Sequence, residues 1–282
     1  MGWRWACAAG TFYPADPPRL TAEIEACFQG PREALGPPGE GLTGPVGLIL
    51  PHAGYRYSGA VAATGFSALW RLGRPEAVVI LGTNHTGLGG AIAVGGPGTW
   101  ETPLGTVPVE EELAGAIADG TGADRTDLPF HDEHSVEVQL PFLQHLFGAV
   151  PLVPVVVQHL DLAQARAAGT ELAQVLAGRP VALIASTDFT HYEPDEVARK
   201  KDRRALTHIL NLDLPGFLDE VARQHITICG VGAIALLLAA CRELGLLGTK
   251  LLAYRTSGEV AGHLDQVVGY AAVLFQRVDD VA

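Results

Sequence analysis

The sequence predicts a single α/β domain over residues 1–282, built on a mostly parallel sheet with helices on both faces. Three observations carry this. Short apolar runs alternate with longer amphipathic stretches, the pattern of strands separated by crossover helices. The apolar fraction is 48%, enough for a full core in a chain of 282 residues. No repeat or low-complexity block divides the chain. The segment GPREALGPPGEGLTGP (30–45) is rich in Gly and Pro, but a strand follows at once, so it reads as a surface loop.

The strand runs are VGLIL (46–50), AVVIL (77–81), LVPVVV (152–157), VALIAS (181–186), KLLAY (250–254) and VVGYAAVLF (267–275). Their short length and β-branched content favour strand over buried helix. Helical periodicity covers about 17–29, 58–72, 109–119, 162–177, 194–209, 214–223 and 230–244.

Charge and cysteine usage narrow the function. A net charge of -12 argues against nucleic acid and anionic membrane as partners. The apolar stretches are too short to span a bilayer. The start MGWRWACAAG lacks the apolar core of a secretory signal. Four cysteines without a CxxC pair do not make a secreted disulfide framework. A cytoplasmic enzyme or binding protein is the expectation.

The chemistry clusters after strands. His52 follows GLILP, His85 follows AVVILGTN, and Asp188 and His191 follow VALIAST. In a parallel sheet the carboxyl ends share one edge, where ligands bind. A lone histidine is more often a loop or core residue; repeated placement after strands points to one cleft. Cys229 lies just before an apolar helical run, and open N–H groups at a helix start favour a thiolate. A small buried residue beside glycines is the plain alternative for it. In HDEHSVEVQLPFL (131–143), Asp132 and Glu133 read as helix-start acids. That account leaves out His134, which as a neutral imidazole could serve as acid, base or substrate donor. Tyr55 reads as a packing aromatic. No GxGxxG follows the first strand, and there is no phosphate loop or GxSxG elbow.

Together AGTFYPADP (9–17), PHAGYRYSG (51–59), GTNHTG (82–87), TPLGTVPV (102–109), EHSVEVQLPFL (133–143), STDFTHYE (186–193), ICG (228–230), TSGEV (256–260) and VVGYAAV (267–273) resemble the MEMO family. That family includes the proteins labelled AmmeMemoRadiSam system protein B, and the matching segments span nearly the whole chain in order. The resemblance implies a fold like the class III extradiol dioxygenases. It implies metal ligands at His52, His85 and Cys229, with Asp188 and His191 in the same pocket and iron or copper as the metal. The dioxygenases use two histidines and a glutamate. A cysteine in third place shifts preference toward softer metals, copper(I) or zinc. The family label also implies an AMMECR1-type protein and a radical SAM enzyme as partners.

Two other functions fit the same residues. One is a metal-free hydrolase or transferase with Cys229 as nucleophile, His191 as base and Asp188 as orienter. The other is a non-catalytic protein that binds a peptide or partner in the cleft.

Overall fold

The computed structural model describes residues 2–278. Its strands are β1 (Gly2–Arg4), β2 (Val46–Leu50), β3 (Ala77–Thr83), β4 (Ile92–Val94), β5 (Gly98–Thr102), β6 (Gly105–Pro108), β7 (Asp124–Arg125), β8 (Leu152–Val157), β9 (Val181–Ser186), β10 (His191–Glu193), β11 (Gly248–Thr256) and β12 (Val267–Gln276). Its helices are α1 (Pro17–Phe28), α2 (Tyr55–Leu72), α3 (Glu111–Thr121), α4 (His134–Glu137), α5 (Leu140–Phe147), α6 (Leu162–Leu176), α7 (Asp195–Leu210), α8 (Leu214–Gln224), α9 (Val231–Glu243) and α10 (Gly258–Ala261).

The fold is α/β, as the alternation predicts. The main sheet runs β10-β12-β2-β9-β3-β8-β4-β7, with β11 also paired to β12. Its centre, β2-β9-β3-β8, is parallel. These four strands are buried throughout, which is why they read as unbroken apolar runs. On either side of this centre the pairing turns antiparallel, β12 to β2 and to β11 and β4 to β8, while β7 at the edge is parallel to β4. Only residues 257–266 separate β11 from β12, too few for a crossover, so the chain must turn back.

Helices cover both faces. A side chain at Gly47 would strike Cys241 of α9, whereas Leu50, facing the other way, lies against Gly65 of α2. Beside α2 packs α1, and beside α9 pack α6 and α8. A second sheet of β1, β5 and β6 was not expected from the sequence. Its strands are three to five residues long and partly exposed, so they carry little apolar signal.

No helix among the described residues is long and apolar enough to cross a membrane.

Candidate metal centre

The parallel register brings the strand ends level: Leu50 pairs with Ser186, and Ser186 with Gly82. The loops after β2, β3 and β9 therefore leave the sheet at one edge, carrying His52, His85 and Asp188. The turn before α9 brings Cys229 to them. One ligand atom each from His52, His85 and Cys229 lie within 4.8 Å of one another.

Neighbours fix each ring. Ser186 Oγ donates to Ser135 O at 2.6 Å and accepts from Gln139 Nε2 at 2.8 Å. Its one hydrogen is thus committed, and it accepts from His52 Nδ1, 3.2 Å away. His85 Nδ1 lies 2.9 Å from Glu133 Oε1; a carboxylate only accepts, so this nitrogen too carries the proton. Both rings then turn Nε2 inward, and His52 Nε2 sits 3.4 Å from Cys229 Sγ.

Cys229 Sγ accepts from the Asp188 backbone N–H at 3.2 Å, and the Thr83 and Thr187 hydroxyls lie 3.6 Å away. Burial would raise this thiol, but the His52 charge and hydrogen bonds from His52, His85 and Thr187 outweigh it. They hold Cys229 well below the usual thiol range. The helix start contributes less directly than its position suggests, since Gly230 N–H points to Thr187 Oγ1, not to sulfur. Burial lowers both imidazoles, but Cys229 with Asp188 lifts His52 to about 9, and Cys229 with Glu133 lifts His85 to about 10. Without metal, the thiolate form of Cys229 and the charged forms of the two rings favour one another.

His134 joins the same cluster. It stacks on His85 with ring centroids 4.7 Å apart and packs edge-on to His52 at 5.2 Å. Burial and the charges of His52 and His85 lower it to about 3, so it is neutral at pH 7. Its Nδ1 is 3.8 Å from Glu133, beyond hydrogen-bond length.

Asp188 is buried, and its carboxylate accepts the His52 backbone N–H at 2.9 Å. It therefore holds the loop of one ligand and, through its own N–H, the sulfur of another. His191 stands further out on β10, with Nδ1 2.8 Å from Thr227 O. Among the described residues it makes no hydrogen bond to Asp188 or Cys229. The Cys229–His191–Asp188 relay considered above is therefore not formed, and His52 is the imidazole against the sulfur. Tyr55 packs on Phe142, and its hydroxyl is spent on Val138 O.

Sequence reasoning missed Glu133. Its fully buried carboxylate accepts from Ser135 N as the cap of α4, and also from His85 N at 2.7 Å and His85 Nδ1. The capping pattern was readable and explained the residue, which hid its second task. Two glycines permit the assembly. A Cβ on Gly82 would lie 2.5 Å from Ser135 Oγ, so α4 rests directly on the end of β3. A Cβ on Gly230 would lie 2.6 Å from Thr187.

Comparison with known proteins adds the family. The family described as Memo-like protein matches residues 4–274. This chain belongs to the Memo-like family. A MEMO1 family protein of Methanopyrus kandleri is 46% identical, covering 97% of this chain and 99% of its own length. One from Pyrobaculum aerophilum is 43% identical, over 98% of this chain and 100% of its own. The crystal structure of an uncharacterized protein from Escherichia coli K12 is similar in fold, with a TM-score of 0.57 at 14% identity. It covers 81% of this Memo-like chain and 98% of that one.

His85, Glu133 and His134 form a second set of potential ligands. Each Glu133 oxygen already accepts from an N–H group, which leaves the set with Cys229 as the better donor set.

Proposed function

We propose that this Memo-like protein is a metal-dependent redox protein whose His52, His85 and Cys229 hold iron or copper. One observation supports it above the others. Both Nδ1 protons are tied to Ser186 and Glu133, so once a metal displaces the Nε2 protons, two Nε2 lone pairs and the Cys229 sulfur face one point. A histidine whose other nitrogen donates to a carboxylate or similar acceptor is the usual supported metal ligand. When bound, iron or copper supplies one-electron chemistry and a Lewis acid; the thiolate favours copper(I), with zinc as the non-redox competitor.

The chain's own residues supply the rest. His134 is neutral, and neither of its ring nitrogens is hydrogen-bonded among the described residues, so it can orient a substrate or hold a proton. His191 has Nδ1 fixed by Thr227 O and Nε2 left for acid–base work. Asp188 keeps the His52 loop and Cys229 in register. An AMMECR1-type protein and a radical SAM enzyme are the proposed partners, a reading that rests on the family resemblance.

The short Cys229–His52 approach favours a second reading, a metal-free thiolate nucleophile with His52 as its base. Anaerobic titration of chelator-treated protein with iron(II), copper(I) and zinc(II) separates the two. The metal reading expects one equivalent of iron or copper in the wild type and loss of it in Cys229→Ser. No binding in the wild type, with rapid acylation of Cys229 by an activated ester, would replace it with the second.

A further inference from the structure

A second glutamate of α4 has no part in the metal site as described. Glu137 lies one turn after Glu133, is 1% exposed and has no cationic partner among the described residues. All the donors around it come from one segment. Its Oε2 accepts from Cys7 N at 2.8 Å and Cys7 Sγ at 3.1 Å; its Oε1 accepts from Ala8 N at 2.9 Å and from the Tyr13 hydroxyl.

That segment is folded tightly on itself and on the site. Phe12 N donates to Ala8 O, and Phe12 O accepts from Tyr55 N at the start of α2. The Phe12 ring then stacks on His134 with centroids 4.2 Å apart. His134 is thus clasped between Phe12 on one face and His85 on the other. Glu133 fastens the His85 side, and Glu137 fastens the Phe12 side.

We infer that Glu137 is a positioning residue, holding the Cys7–Tyr13 loop closed so that Phe12 fixes the His134 ring over the metal site. A buried carboxylate surrounded only by N–H, O–H and S–H donors is strongly bound to them. An amide at this position brings its own donors and cannot satisfy all four. The loop has no other buried ionic anchor among the described residues. Cys7 reports on the clasp, because burial and Glu137 push its thiol up to about 12 although the residue is exposed.

The inference builds on the role proposed for His134, but its test does not need metal. The ring protons of His134 are followed by NMR in metal-free wild type, Glu137→Gln, Tyr13→Phe and Phe12→Ala, with Cys7 alkylation at pH 8 measured alongside. Phe12→Ala should remove the ring-current shift of His134 and leave Cys7 slow. Glu137→Gln should remove that shift as well and speed Cys7 alkylation by at least about tenfold. Tyr13→Phe, which loses one donor of four, should show both effects partly, and it serves if Glu137→Gln does not fold. His134 resonances unchanged in Glu137→Gln, or in Tyr13→Phe where only that variant folds, would overturn the inference. Failure of the wild type to bind metal would instead overturn the proposed function and leave this comparison standing.

Discussion

Replacing Glu133 with Gln removes a single oxygen and a charge, yet the structure predicts a large loss of metal affinity. Glu133 accepts three N–H groups: His85 Nδ1 at 2.9 Å, Ser135 N at 2.8 Å and His85 N at 2.7 Å. Glutamine keeps one oxygen. Oriented to retain the two bonds at Oε1, it points its NH2 at the His85 N–H, donor against donor. Turned the other way, it meets both His85 Nδ1–H and Ser135 N–H. Either arrangement displaces the His85 loop or reverses the ring tautomer, and the negative charge behind the imidazole is lost. Changes to such supporting groups weaken metal binding by about 10- to 100-fold, or about 1.4 to 2.8 kcal/mol. Competition against a chromophoric chelator at pH 7 measures it, with thermal unfolding as the control for folding. Affinity within threefold of wild type would refute the supporting role. A loss as complete as in His85→Ala would mean that Glu133 is itself a ligand.

Three further outcomes follow from the same geometry. In metal-free protein Cys229 should be the fastest of the four thiols to react with iodoacetamide, and metal should protect it; Cys7 and Cys27 are pushed up to about 12 and Cys241 is raised and buried. Mass spectrometry of labelled peptides decides this, and faster labelling of Cys7 or Cys241 would count against the thiolate. Metal affinity should rise from pH 6 to about 10, because protons on the Nε2 atoms of His52 and His85, raised to about 9 and about 10, must leave; a flat profile contradicts the charge state. His52→Ala should abolish binding, whereas Asp188→Asn should cost less than Glu133→Gln, since Asn still offers an oxygen to His52 N.

The acid side follows by linkage. Burial raises Glu133, but its bonds to His85 outweigh this and hold it at about 2. A carboxyl depressed below its unfolded value stabilises the fold above about pH 4.5, and that contribution is lost as pH falls toward 2. The unfolding temperature of the metal-free wild type should therefore drop across that window, and more steeply than that of Glu133→Gln.

Much of this was legible in the sequence because the site sits where backbone direction alone places it. The runs VGLIL, LVPVVV and VALIAS coincide with β2, β8 and β9, since strands buried on both faces need continuous apolar residues. Strand direction then brought His52, His85 and Asp188 to one edge. The antiparallel pairing of β11 and β12 is readable from the short connection between them. Glu133 and Glu137 were not readable as parts of the site. Their partners His85 and Cys7 lie 48 and 130 residues away in sequence, and a helix start already explains Glu133. His191 shows what strand direction alone does not give: it follows β9 with Asp188 and its charge acts on that carboxyl, but β10 pairs with β12 and its Nδ1 meets Thr227 O, not Cys229.

The central claim is a metal held by two imidazoles and one thiolate. X-ray absorption at the metal edge of protein reconstituted with iron or copper tests it most directly. The expected result is one metal per chain with a single sulfur scatterer, outer-shell scattering from two imidazoles, and loss of the sulfur in Cys229→Ser. A spectrum containing only nitrogen and oxygen, unchanged by that substitution, would contradict it.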